Sequence, residues 1–127
     1  MGAIFVNANQ PNAMVRLNDT DGTTPALLIH AGPKGSKVYS INAFNSDPTN
    51  PVVAELLVSN DGANYFPLVD VDILVNKSTN LIDVDVFKSC LQDGAYLLGP
   101  ETRLYVRTKA LPTASNYVSV VAAYADY

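Results

Sequence analysis

Few residues in this chain have side chains that could do chemistry, and their spacing limits each of them. The single histidine, His30, lies between Ile29 and Ala31 in a run of strand-forming residues. As a general base it would need a nucleophile, and the chain has no Gly-x-Ser-x-Gly elbow. Nor can a lone histidine join an imidazole pair on a metal, so a structural or surface role is expected. The single cysteine, Cys90, follows Phe87 by three residues and precedes Leu91. A catalytic thiolate needs an activating base, whereas a free thiol commonly packs as a small hydrophobe. Core packing is expected for Cys90, and one cysteine forms no intramolecular disulfide.

The acids are more numerous but no better placed. Asn18-Asp19-Thr20-Asp21-Gly22 resembles half a calcium loop. Aligning Gly22 with the invariant glycine of an EF-hand puts Leu17 at the first ligand position and Leu28 at the twelfth, where oxygen ligands are required. A turn explains these residues, with a looser calcium site at Asp19 and Asp21 as the alternative. Asp70-x-Asp72 and Asp83-x-Asp85 are pairs that would serve glycoside hydrolysis if they spanned a sugar. On a strand, i and i+2 project to one side, so each pair more simply marks a solvated face. Gly32-Pro33-Lys34-Gly35-Ser36-Lys37 is too short for a phosphate loop and leads into a strand where a helix is needed; it should be a turn. There are seven tyrosines and no tryptophan. Tyr65, Tyr96, Tyr105 and Tyr117 would make a sugar platform if they converged, but tyrosine also suits protein interfaces and sheet surfaces. No catalytic, cofactor or metal constellation emerges. The chain is expected not to be an enzyme and to act by binding.

Composition narrows the partner. Of 127 residues 48 % are hydrophobic and only 16 % charged, below the typical quarter, which leaves uncharged surface of the kind partners cover. Twelve acids face eight bases for a net charge of −4, and the bases are scattered except for Arg103, Arg107 and Lys109. Nucleic-acid binding needs a basic face and is not expected. No apolar run reaches membrane-spanning length, and the start lacks the basic residue and long apolar core of a signal peptide. Gly2 invites myristoylation, but Val6 stands where Ser or Thr is required. The chain is expected to fold in a cytoplasm.

The elements that must carry these residues are short strand-forming runs punctuated by Gly, Pro, Asn and Asp. Strands are expected at Ala3–Asn7, Met14–Asn18, Ala26–Ala31, Lys37–Asn45, Val52–Asn60, Tyr65–Val71, Thr102–Lys109 and Tyr117–Tyr124. Ala54, Leu56 and Val58 should share a face, as should Leu104, Val106 and Thr108, and Val118, Val120, Ala122 and Tyr124. The opposite side of the last strand is only mildly polar, which predicts cover on both sides. Asp61-Gly62 reads as a hairpin loop with Gly62 at positive φ. One short helix is expected at Val84–Gln92, with Asp83 as cap and Gly94 as stop. Leu27-Leu28 before Gly32-Pro33 echoes Leu97-Leu98 before Gly99-Pro100, a shared corner leading into a strand. The fold class is therefore all-β, an antiparallel β-sandwich with the jelly roll as one form of it. Residues 1–12 would be an N-terminal arm and 13–127 one domain.

Some segments resemble small virion proteins of tailed bacteriophages. They are Leu27-Leu28-Ile29-His30-Ala31-Gly32-Pro33-Lys34-Gly35-Ser36-Lys37-Val38, then Ile41-Asn42-Ala43, then the hairpin from Leu56 through Asp61-Gly62 to Leu68. The C-terminal part, Leu98-Gly99-Pro100-Glu101-Thr102-Arg103-Leu104-Tyr105-Val106 and the closing Tyr124-Ala125-Asp126-Tyr127, is similar too, so the likeness spans roughly residues 26–127. It implies a capsid decoration or cement protein in the virion, bound to the major capsid protein and oligomeric, with a trimer favoured. It carries over no catalytic residues. A tail or neck protein and a carbohydrate-binding module are the alternatives.

Overall fold

Runs that alternate apolar and polar side chains fold as strands because one face can then be buried while the other meets solvent. In the computed structural model, which describes residues 13–82, 91, 95–110 and 115–127, nine strands form two antiparallel sheets among the described residues. They are β1 (Ala13–Asn18), β2 (Ala26–His30), β3 (Ser36–Asn45), β4 (Val52–Ser59), β5 (Phe66–Ile73), β6 (Ser78–Asn80), β7 (Tyr96–Leu98), β8 (Arg103–Thr108) and β9 (Tyr117–Asp126). One sheet has the order β1-β9-β3-β6, with β7 also on β3, and the other has the order β2-β8-β4-β5.

The pairing is nested: β1 with β9, β2 with β8, β3 with β6 and β7, β4 with β5. A long hairpin wrapped so that successive pairs alternate between two sheets is the connectivity of a jelly roll. The expected β-sandwich is therefore what forms. Its core lies between the sheets, where Ile29, Ile41, Leu56, Ile73, Leu104, Val106, Val118 and Val120 are fully buried. The three proposed alternations hold, with Val58 and Tyr124 partly buried against that core.

Register slips interrupt the alternation where Leu28, Tyr39 and Leu68 are extra residues opposite β8, β9 and β4. A bulge shifts the side-chain phase by one, which is why consecutive Leu28 and Ile29 are both buried. The strands β6 and β7 were not expected. At three residues each, and Ser-Thr-Asn in β6, neither is long enough to show a period. Cover on both sides of the last strand is not met either, since Val121 on its outward side is 36 % exposed.

No described residue is helical. Of the expected helix Val84–Gln92 only Leu91 is described, and it is not helical. The rest of that helix with its cap Asp83, the pair Asp83 and Asp85, Cys90, the strand Ala3–Asn7 and the arm 1–12 fall outside the described residues.

Candidate interaction face

The residues singled out for chemistry do not meet. His30 ends β2 on the outward side, where Nε2 lies 3.3 Å from Glu101 Oε2, and both side chains are well exposed. The calcium-like loop is a turn: the backbone N–H and side-chain amide of Asn18 donate to Asp21 Oδ2 at 2.7 and 3.0 Å. Asp19 Oδ2 accepts the Ser115 N–H at 2.9 Å, so the two carboxylates serve different contacts. Among the described residues no three His, Cys, Asp or Glu side chains gather to hold a metal ion.

Tyr65 and Tyr105 touch edge to face, with ring centroids 4.9 Å apart. Tyr117 lies on the other sheet and Tyr96 packs against the core. The four rings form no common platform.

Gly32–Ser36 is a turn, as expected, closed by the Gly35 N–H on the Gly32 carbonyl at 3.0 Å. Its echo, Gly99-Pro100, lies against it. Gly35 has φ +89° and no room for a side chain, because a Cβ would sit 2.5 Å from the Leu98 carbonyl oxygen. The Glu101 N–H donates to the Gly32 carbonyl at 3.1 Å, and Ser36 donates its hydroxyl to the Asp126 carboxylate. The two similar corners are thus one structural lock near the C-terminus.

At the hairpin, Asp61 Oδ1 accepts the N–H groups of Ala63 and Asn64, each at 2.8 Å. Those bonds hold its carboxyl well below the usual range. Gly62, at φ +75°, completes the loop.

What the sequence left unassigned is the contrast between the outward faces of the two sheets. On β2-β8-β4-β5 the face carries charges of both signs, and two ion pairs close within it. Glu55 Oε1 meets Arg107 Nε at 2.6 Å across β4 and β8, and Glu55 is only 4 % exposed. Asp70 meets Lys109 Nζ at 2.9 Å, and this hydrogen bond lowers the Asp70 pKa and raises that of Lys109. Asp70 and Asp72 both point to solvent, as their i, i+2 spacing requires.

On β1-β9-β3 the face is nearly charge-free. The row Met14–Val121–Asn42 runs across it, and beside it runs Arg16–Ser119–Phe44. Met14 is 71 % exposed, and Tyr39, Leu97 and Val121 are exposed with it. The strands β1, β3, β6, β7 and β9 contain a single acid, Asp126, and it is bound in the corner lock. Their outward cations are Arg16 and Lys37, and each lies on a tyrosine: the Arg16 guanidinium carbon is 3.9 Å from the Tyr117 ring centroid, and Lys37 Nζ is 5.7 Å from that of Tyr39. Arg16 and Tyr117 are far apart in sequence and meet only through the β1–β9 pairing, so no local motif announces them. Comparison with protein-family models and with curated proteins returned no match.

Proposed function

We propose that this protein is a structural component of a bacteriophage virion, a head decoration protein that binds the major capsid protein and braces the assembled shell. The sequence resemblance suggests the class. The observation that carries it to a surface is the outward face of β1-β9-β3, broad, exposed and without a free carboxylate. Jelly rolls serve viral shells and lectins alike, so the fold alone does not choose between them. The scattered tyrosines give the lectin reading no platform.

Mechanistically the action is linkage: a ligand that binds only the assembled lattice stabilises it by mass action. Shell sites recur in many symmetric copies, and a trimeric form would add avidity to weak individual contacts. The test is co-sedimentation of the purified protein with empty expanded shells and with free capsid subunits. Binding to shells and not to subunits is the expected result. Absence from shells together with presence in purified tails overturns the reading in favour of a tail protein.

A further inference from the structure

We propose that the outward face of β1-β9-β3 is the surface that meets the shell, and that its occupant is a protein surface bearing carboxylates for Arg16 and Lys37. This rests on the decoration reading above and names its partner's chemistry. The first ground is size. β3 and β9 are ten residues each and β1 is six, so they are about 33 and about 20 Å long at the usual rise, and each strand adds about 4.8 Å of width. That is about 400 Å² of projected backbone surface, about half of the ~800 Å² of accessible area each partner contributes to a standard interface, the rest coming from side-chain relief and flanking loops.

The second ground is charge. In a chain of net charge −4, this face offers two cations and no free carboxylate. A guanidinium whose carbon lies 3.9 Å from a ring centroid rests its charge on the ring and not on an acid, so its N–H donors remain for a bidentate carboxylate. Arginine and tyrosine are also the residue types that dominate interface energies. Arg16 stands opposite Ser119 and Lys37 opposite Ala125 along β9, so the carboxylates they receive must be roughly 20 Å apart.

The same facts argue against a second copy face to face. Two such faces would bury four cations with no acid between them, and a buried charge without a partner is strongly unfavourable. The occupant must bring the acids.

The test is co-sedimentation with empty expanded shells, with melting curves as the check on folding. Arg16→Glu and Lys37→Glu should each weaken binding about tenfold or more, and Val121→Asp should do likewise. Lys34→Glu, the same charge change in the exposed Gly32–Ser36 turn, should stay within about twofold of the parent. If the parent binds shells and all three face variants bind equally well, the docking surface is elsewhere while the decoration reading stands. If the parent binds no shells, the decoration reading falls and this inference falls with it. If the free protein dimerises and Val121→Asp makes it a monomer, the occupant is a second copy and the proposal is overturned.

Discussion

The two outward faces of this sandwich handle charge in opposite ways. On β2-β8-β4-β5 the ion pairs close within the chain, Arg107 on Glu55 and Lys109 on Asp70. On β1-β9-β3 the cations rest on tyrosine rings and meet no acid of their own sheet. A cation already paired with a carboxylate has little left to offer a partner. One lying on an aromatic face is oriented but still has donors free. The difference separates polar residues that hold the fold from polar residues available for binding, even though all of them lie on a sheet surface.

The largest effect should come from breaking the closed face. Arg107→Ala would leave Glu55, which is 4 % exposed, without its direct partner and with only the more distant Lys109 to offset its charge. Full burial of an unpaired charge costs 3–5 kcal/mol, and since Arg107 itself is 30 % exposed, about 2 kcal/mol is expected. Arg16→Ala removes only an exposed ring contact and should cost less than about 1 kcal/mol. Urea melts of the two variants measure both values. Equal losses would mean that the faces do not differ in the way described.

Acid should act on the same side. Lys109 lowers the pKa of Asp70, and backbone N–H groups of Asn64 and Ala63 lower that of Asp61. A carboxyl whose folded pKa lies below its unfolded value stabilises the fold above about pH 4 and loses that contribution as pH falls through the folded value. The melting temperature should therefore fall as pH drops from about 5 towards 2, and Asp61→Asn or Asp70→Asn should flatten the fall. Removing Arg16 or Lys37 should leave the slope unchanged. A slope that these cation variants alter would tie the open face to the acid response.

Much of the fold was legible because its longer strands alternate and the turns carry their own chemistry. Leu104, Val106 and Thr108 pointed inward as spaced, and Asp61-Gly62 formed its hairpin with Gly62 at positive φ. The short β6 and β7 were not legible, since three residues show no period. The bulge at Tyr39 could not be foreseen either, because it depends on what β9 places opposite. The candidate face was hidden for a related reason. The scarcity of acids in Ala13–Asn18, Ser36–Asn45 and Tyr117–Asp126 is readable in sequence, but that these segments share one sheet is not. Nested pairing of first with last is a long-range outcome, and only it sets Arg16 on Tyr117.

The smallest effect should be at His30, the residue most tempting as a catalyst. Its contact with Glu101 is 3.3 Å between two exposed side chains, and such pairs contribute between nothing and about 1 kcal/mol. Glu101 does its structural work through its backbone, with φ +58° and an N–H bonded to the Gly32 carbonyl. Neither feature needs the imidazole. His30→Ala should therefore change stability by less than about 0.5 kcal/mol and leave shell co-sedimentation at the parent level. His30 ends β2, on the face assigned here to structure alone, so the variant also probes the comparison from the other side. A folded His30→Ala protein that no longer binds shells would show that the charged face takes part in docking, and the division between the two faces would fail.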